Sequence, residues 1–265
     1  MTNTKFKIAI IGCGNMGGAI ASAVASHETV TVYDVDRAKI NALQKRARVK
    51  SADLRTVVES SSIVILAVKP QQFDELLENL SRMAIRGKLF ISIAAGIRTL
   101  YIEKRLGADA RVVRTMPNLP AQVKQGVTAI AAGKSAAPRD LKTTEAIFSR
   151  LGKVIAIEED LMNAVTALSG SGPAYVFLFV ECLIEAGQAI GLNAEAASTL
   201  ARQTLKGSLA LLEKFKDDPA ALRARVTSKG GTTQAALDVF ESKKIRQIFK
   251  DALKAAKTRA KELSK

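Results

Sequence analysis

Residues 10–20 read IIGCGNMGGAI, and this glycine-rich stretch decides the fold. An apolar run, KFKIAII, predicts a strand before it, and the small residues of GGAIASAVAS predict a helix after it. Gly12, Gly14 and Gly17 form the pattern G-x-G-x-x-G, which permits a tight turn, a close approach of the backbone to a pyrophosphate, and close packing of helix on strand. The free N–H groups at the start of the helix would face the phosphates. We therefore predict a dinucleotide-binding fold of the Rossmann type, and the alternative is a glycine-rich turn without a ligand.

Further apolar runs continue the same pattern as far as residue 157. They read VTVYD, IVILAV, KLFISIAA, ARVVRTMP, GVTAIAAG and KVIAI, and helical stretches such as QQFDELLENLSRM separate several of them. Runs that are continuously apolar, instead of alternating, indicate strands that are covered on both faces of a largely parallel sheet. The sequence therefore predicts an α/β domain with a doubly wound sheet over residues 1–157.

From Glu158 onward the strand signal stops, and every segment has helical periodicity. We predict an all-helical second domain over residues 158–265, joined to the first by a tight hinge. The run AYVFLFVECLIEAG is interrupted by Glu181 and Glu185 and is too short to span a bilayer comfortably, so we expect a helix buried in protein and no membrane partner. The apolar surface of this domain exceeds what it can bury alone, which predicts a helical dimer interface.

The net charge of +15 raises nucleic acid as a possible partner, but its distribution favours another interpretation. Residues 242–265 hold nine Lys or Arg against Asp251 and Glu262, at three- and four-residue steps. Apolar residues recur on the opposite side, and no aromatic residues interleave with the charges. We interpret this stretch as one amphipathic helix with a solvated basic face, and we predict no nucleic-acid partner.

Cysteine and histidine usage excludes several kinds of site. Cys13 and Cys182 are too few for a disulfide framework and match no metal-ligand spacing, so we expect no metal. Cys13 is interpreted as a small packed residue. His27, the single histidine, falls in a predicted turn and is expected at the surface. With no signal-peptide pattern, these features indicate a cytoplasmic protein.

Asp34 lies at the end of the second strand, about twenty residues after the glycine loop, where a carboxylate accepts hydrogen bonds from ribose hydroxyls. A carboxylate there also repels a 2′-phosphate, which favours NADH over NADPH. Arg37 complicates this preference, because its guanidinium can offset the repulsion or stack on adenine.

Six segments, taken in order, carry a resemblance to a known family: IGCGNMGGAI, AVKPQ, SIAAGI, RTMPNLPA, ALSGSGPAYVF and SKGGTTQAAL. Together they resemble pyrroline-5-carboxylate reductases, the enzymes of the last step of proline biosynthesis, over essentially the whole chain. The resemblance implies that hydride from NADH or NADPH reduces the cyclic imine 1-pyrroline-5-carboxylate, a small carboxylate substrate, to L-proline. It also implies homo-oligomers, with dimers formed through the C-terminal helices and often assembled into decamers.

The resemblance also implies the site residues. The substrate carboxylate would bind to a loop that opens a helix, at Ser228, Gly230, Gly231, Thr232 and Thr233. Thr233 would be catalytic, with its hydroxyl on the ring nitrogen. Together with the glycine loop, Asp34 and Arg37, the cofactor residues would be Gly12, Gly14, Asn15, Met16, Gly17, Ala67, Val68, Lys69, Pro70, Ala95, Gly96 and Asn118. For Lys69, a solvated lysine at a strand end is the alternative.

The sequence departs from the family pattern at three positions. Lys229 replaces a usual proline, Leu119 a usual threonine, and Ala224 a common aspartate. These departures leave open another imine or β-hydroxyacid reductase of the same architecture, or a non-catalytic Rossmann regulatory protein. The intact glycine loop and the G-G-T-T segment favour an enzyme.

Overall fold

A computed structural model describes residues 6–265 and contains one sheet of eight strands. The strands are β1 Lys7–Ile11, β2 Thr29–Tyr33, β3 Lys50–Ser51, β4 Ile63–Leu66, β5 Leu89–Ser92, β6 Arg111–Met116, β7 Gly126–Ala132 and β8 Gly152–Ala156. Their order in the sheet is β3-β2-β1-β4-β5-β6-β7-β8, and neighbouring strands are parallel except for the antiparallel pair β6–β7. The predicted fold class, a largely parallel doubly wound sheet, is confirmed.

Both faces of the sheet are covered by helices, as the continuous apolar runs predict. The helices of this part are α1 Asn15–Val24, α2 Arg37–Gln44, α3 Leu54–Glu59, α4 Phe73–Ser81, α5 Thr99–Leu106, α6 Pro138–Phe148 and α7 Met162–Val165. Ile8 and Ile10 of β1 pack into a core with α1, α2 and α6, whereas Ala9 and Ile11 pack into a second core with α3, α4 and α5. Alternate residues of a strand point to opposite faces, so β1 lies between two cores.

Two aspartates set where α2 and α3 begin. Asp36 accepts a hydrogen bond from the Ala38 N–H at 2.9 Å and precedes α2, and Asp53 accepts from the Thr56 N–H at 3.0 Å and precedes α3. A side chain at this position satisfies an N–H that the helix itself leaves unpaired. The start of α2 matters for the site, because it determines which side chains face the end of β2.

A buried ion pair joins β6 to the turn that follows β8. Arg114 lies 3.3 Å from Glu159, whose two oxygens also accept from the backbone N–H and the hydroxyl of Thr99, each at 2.8 Å. Burial lowers the pKa of Arg114, and the charge of Glu159 opposes that shift. Removing one partner of such a pair leaves a buried charge without compensation, which costs about 3–5 kcal/mol.

The chain divides into two compact units. One runs up to Ser171 and also includes Ala256–Lys265, and the other is Gly172–Ala255. The strands end at Ala156, close to the predicted change from strands to helices at residue 157. The assignment of residues 1–157 and 158–265 to two functional domains stays a prediction.

Beyond α7 every further element is helical. These helices are α8 Gly172–Ala189, α9 Ala194–Phe215, α10 Pro219–Arg225, α11 Thr232–Ser242 and α12 Ile245–Glu262. No residue of α12 is buried, and its basic positions face solvent, as the charge pattern predicts for an amphipathic helix.

The run starting at Ala174 belongs to α8, which is largely exposed in the single chain, so its burial in protein stays a prediction that requires a partner. Four consecutive residues of α8 are exposed, Val176 at 52%, Phe177 at 53%, Leu178 at 59% and Phe179 at 40%. The longer helical stretch Glu159–Ala189 is also long and apolar enough to cross a membrane by length and composition, with 6% of its apolar window buried. The chain alone has too few apolar side chains around α8 to cover it.

Candidate active site

The glycine loop between β1 and α1 leaves no room for side chains at two positions. Gly12 has φ +103°, and a Cβ added to it would lie 2.5 Å from the Ala67 carbonyl oxygen. A Cβ on Gly17 would overlap the Gly12 carbonyl oxygen and lie 3.0 Å from the Ala67 side chain. The loop is therefore packed tightly against the end of β4.

Gly14, by contrast, faces open space at the start of α1. A Cβ added to Gly14 would meet nothing within 4 Å, and no side chain caps the helix there. The first N–H groups of a helix have no partner within it and carry the positive end of the helix dipole. An anionic group can therefore approach the backbone at this position.

Asp34 connects the end of β2 to the glycine loop. Its carboxylate accepts hydrogen bonds from the Cys13 N–H at 2.7 Å and the Asp36 N–H at 2.8 Å, one at each oxygen. Cys13 is buried, and burial raises the pKa of its thiol to about 11, with a smaller contribution from the charge of Asp34. Cys13 is thus a packed, protonated residue, whereas Asp34 keeps free lone pairs at the sheet edge.

A cavity of about 180 Å³ lies beside Asp34 at the carboxyl ends of β1, β2 and β4. Of the predicted cofactor residues, Gly12, Gly14, Asp34, Ala67, Val68 and Lys69 line it. Arg37 does not line this cavity, whereas Lys39, Leu54 and Gln72 do, and a role of Arg37 in cofactor binding stays a prediction. The cavity adjoins the loop at the position where open α/β sheets bind nucleotides.

The other predicted cofactor residues lie near this edge in different surroundings. Asn15 lines a second cavity with Arg46 and Lys124, and Met16 packs against the core. Pro70 begins a 3₁₀ turn. The N–H of the preceding residue, Lys69, donates to the Gln72 side-chain oxygen at 3.3 Å. Ala95, which follows β5, is exposed, whereas its neighbour Gly96 is buried.

Asn118 follows β6 and has a fixed side-chain amide. Its Oδ1 accepts from the Val127 N–H at 3.0 Å, and its Nδ2 donates to the Ser169 hydroxyl at 3.3 Å. Ser169 lies in a π-helical turn, Thr166–Gly170, and such turns often occur at functional sites. The contact between Asn118 and Ser169 is not indicated by the sequence pattern, although the glycine pair in SGSG marks an unusual helix start.

The predicted substrate loop lies within the second unit. Gly230 has φ +72°, and Gly231 precedes the first residue of α11 with no side-chain cap. A Cβ on Gly231 would overlap the Ser228 hydroxyl, which would have to rotate away, and would lie 3.2 Å from the Ser228 carbonyl oxygen. Ser228 and Lys229 are exposed, and Thr233 is half-buried in the first turn of α11. The uncapped N–H groups of Thr232 and Thr233 form a place where a carboxylate can bind.

Residues 6–265 offer few side chains for acid–base catalysis or metal binding. His27 is exposed in the turn before β2, as predicted. Among residues 6–265, no three His, Cys, Asp or Glu side chains lie close enough to hold a metal ion.

Comparison with known proteins identifies the family. A family model described as pyrroline-5-carboxylate reductase dimerisation matches residues 159–263, and one described as NADP oxidoreductase, coenzyme F420-dependent, matches residues 7–96. A pyrroline-5-carboxylate reductase of Methanosarcina acetivorans is 39% identical over 265 residues, 98% of each chain. The chain belongs to the pyrroline-5-carboxylate reductase family.

Solved structures of this family share the fold. A pyrroline-5-carboxylate reductase from Coxiella burnetii matches with a TM-score of 0.89 at 38% identity, covering 99% of this chain and 100% of that one. The pyrroline carboxylate reductase of Plasmodium falciparum, solved with NADP bound, matches with a TM-score of 0.87 at 30% identity, covering 98% of both chains.

The three departures from the pyrroline-5-carboxylate reductase pattern lie at the surface of the chain. Leu119 is 42% exposed at the start of a 3₁₀ turn, and Lys229 and Ala224 are also exposed. Lys229 places a cation one residue before Gly230. An exposed cation at this position attracts anionic groups.

Proposed function

We propose that this chain reduces 1-pyrroline-5-carboxylate to L-proline with a reduced nicotinamide cofactor. The observation that carries the proposal is the pair of uncapped, glycine-opened helix starts, one at Gly14 and one at Gly231. The first suits a pyrophosphate and the second a carboxylate. The full-length similarity to named pyrroline-5-carboxylate reductases supports the same pairing.

The residues of the glycine loop fit a nicotinamide dinucleotide. The space that a Cβ on Gly14 would fill is open, and the Asp34 carboxylate lies on the cavity wall where a ribose would bind. When bound, the reduced cofactor supplies a hydride. Gly12, Gly14, Ala67, Val68 and Lys69 would hold it, and Asn118 and Ser169 would orient polar groups near its reactive end.

The chain's own residues mainly orient the substrate. We propose that the N–H groups at Thr232 and Thr233, with Ser228, Gly230 and Gly231, bind the carboxylate, and that the Thr233 hydroxyl hydrogen-bonds the ring nitrogen. The imine carbon accepts the hydride and the nitrogen retains a proton, which gives a secondary amine. Because the protonated imine is already an electrophile, alignment supplies most of the acceleration, and the exposed position of His27 is no obstacle.

Asp34 is the basis for a finer proposal about the cofactor. A nicotinamide cofactor follows from the family, and we propose that NADH is preferred moderately over NADPH. The fixed carboxylate favours ribose hydroxyls and repels a 2′-phosphate, whereas Lys39, in the same cavity, offsets part of that repulsion.

Oligomerisation is the second finer proposal. We propose that residues 158–265 form the substrate-binding and dimerisation domain, that residues 1–157 form the cofactor domain, and that dimers can assemble into decamers. The exposed apolar residues of α8 would be covered by a second copy and not by lipid. Both cysteines are free thiols, which suits a reducing, cytoplasmic setting.

The reaction is tested by following NADH and NADPH oxidation with pyrroline-5-carboxylate against a panel of other cyclic imines and β-hydroxyacids. We expect the highest kcat/KM with pyrroline-5-carboxylate. Thr233→Val keeps the shape of the side chain and removes its hydroxyl, so kcat/KM should fall about tenfold or more, corresponding to about 1.4 kcal/mol. A folded Thr233→Val enzyme with unchanged kcat/KM would remove Thr233 from the mechanism, and turnover of hydroxyacids alone would overturn the reaction.

A further inference from the structure

The residues after α12 lie on the loop that follows β5. We call Leu263–Lys265 the strap. The Lys265 N–H donates to the Gly96 carbonyl oxygen at 2.7 Å, and the Arg98 N–H donates to the Lys265 carbonyl oxygen at 3.3 Å. The two backbones therefore pair in both directions, as adjacent strands do.

Gly96 explains why the loop accepts the strap. It has φ +76°, and a Cβ added to it would lie 2.7 Å from the Leu263 carbonyl oxygen. A side chain there would meet both a strained backbone and the strap. Gly96 is buried and Ala95 beside it is exposed, so the strap supports one side of the loop and leaves the other open.

Side chains anchor the strap to three helices of the same unit. The Lys265 ammonium lies 2.9 Å from Asp74 of α4, and Asp74 also accepts hydrogen bonds from Tyr101 and Arg105 of α5. The Ser264 hydroxyl lies 2.8 Å from the Ala260 carbonyl oxygen and 3.1 Å from Asn163 Oδ1 of α7, and these two acceptors share its one proton. Exposed ion pairs are individually weak, so the backbone pairing with Gly96 and Arg98 holds the strap in register.

The supported elements adjoin the nucleotide cavity. The loop holding Ala95 begins at the carboxyl end of β5, next to β4 in the sheet. Residues of α4 that follow Asp74 line the cavity, among them Glu75, Leu76 and Asn79. The strap therefore contacts α4, which lines the cavity, and the loop that follows β5, the strand next to β4.

We propose that the strap is a positioning element for the nicotinamide cofactor, with Lys265 as its main positioning residue. It holds the Ala95–Gly96 loop from its buried side, and the start of α4, in the geometry that receives the dinucleotide. The inference rests on the proposed function, since it assigns a role in cofactor binding to residues outside the binding loop itself.

Two variants of the full chain test the strap, with a matched control. Lys265→Pro removes both the N–H that pairs with Gly96 and the ammonium, and Lys265→Ala removes the ammonium alone. Lys257→Ala removes one exposed cation from α12, which precedes the strap. NADH affinity is measured by direct titration, and hydrogen exchange is measured at the Arg98 amide.

For Lys265→Pro we expect faster exchange at Arg98 and a Kd for NADH about three- to tenfold higher, the range set by the loss of one hydrogen bond. Lys265→Ala should show a smaller increase, and Lys257→Ala none. Faster exchange with an unchanged Kd, or no change in either, would overturn the proposal. A wild-type chain that binds NADH but leaves the imine unreduced would contradict the proposed function, while the titration would still decide the role of the strap.

Discussion

The carboxylate of Asp34 should decide how strongly the enzyme distinguishes NADH from NADPH. Backbone N–H groups of Cys13 and Asp36 hold its two oxygens at 2.7 and 2.8 Å, so the negative charge has a fixed position on the cavity wall. A 2′-phosphate on a bound ribose would bring a second negative charge close to it. The repulsion has no counterpart for NADH, whose ribose hydroxyls can donate hydrogen bonds to the same oxygens.

The size of the effect follows from distance and exposure. Two unit charges about 5 Å apart repel by about 0.8 kcal/mol in bulk water and about 3.3 kcal/mol at an effective dielectric constant of 20. Asp34 is half-buried, so about 1–3 kcal/mol applies, which corresponds to about 5- to 150-fold in kcat/KM. Lys39 lines the same cavity and lies 3.6 Å from Asp36, so it offsets part of the repulsion. We expect NADH to be favoured toward the lower end of this range.

Two substitutions of Asp34 distinguish the effect of its negative charge from the effect of its size in the cavity. Asp34→Asn keeps an oxygen that can accept from the Cys13 N–H and removes the charge, whereas Asp34→Ser also opens the cavity. The ratio of kcat/KM for NADH to that for NADPH should fall about fivefold or more in Asp34→Asn, and further in Asp34→Ser. Added salt should lower the wild-type ratio and leave the Asp34→Asn ratio nearly constant, because screening acts on the charge. A wild-type enzyme that favours NADPH tenfold, or an unchanged ratio in Asp34→Asn, would refute this reasoning.

Other expectations concern folding, assembly and pH. Gly17→Ala should destabilise the chain by about 1–3 kcal/mol in thermal unfolding because the added Cβ overlaps loop backbone, whereas Gly14→Ala should keep stability and weaken NADH binding. Phe179→Glu should raise the dimer dissociation constant at least about 100-fold in sedimentation, because it buries an unpaired carboxylate; a variant that stayed assembled and active would count against a covered α8. The tyrosine hydroxyl of α5, and then Lys265, lower the pKa of Asp74, and the Asp74 hydrogen bond raises the pKa of Lys265. The Asp74 carboxylate therefore stabilises the folded state fully above its ordinary pKa, and this stabilisation is lost as pH falls through the lowered pKa. The Lys265 ammonium stabilises the folded state fully below its ordinary pKa, and this stabilisation is lost as pH rises through the raised pKa. Exchange protection of the strap should accordingly stay constant between about pH 5 and 9, and a loss inside that window would contradict the ion pair.

The sheet could be predicted because its strands carry their own signal. The run IVIL of β4 is buried along its whole length, which only a strand covered on both faces allows. β3, at Lys50–Ser51, has no such signal, because it is two exposed residues long and pairs only with β2 at the sheet edge. The strand β3 therefore forms because it pairs with β2, and not because of an apolar pattern in its own sequence.

The candidate site could be predicted where backbone geometry alone decides it. Gly12 and Gly17 are required by close approaches within the loop. Side-chain direction was harder to predict, as Arg37 and Lys39 illustrate. Asp36 caps α2, and residues two apart on a helix differ in direction by about 200°, which is why Lys39 lines the cavity and Arg37 does not. A role of Arg37 in cofactor binding stays a prediction. Gly96 depends on Leu263, which is remote in sequence, and no local pattern indicates that contact.

The apolar residues of α8 remain exposed in the single chain, so what covers them has to come from outside it. Residues 176–179 are four successive apolar side chains, and at about 100° per residue they cover roughly 300° of the helix circumference. A helix that is apolar on nearly all sides is stable only when it is covered on nearly all sides. One antiparallel neighbour such as α9 can cover only one face. The periodicity of this segment therefore predicts that α8 must be enclosed, but not by which chain. Because a second copy brings the same unpaired surface, a two-fold symmetric partner satisfies both copies at once.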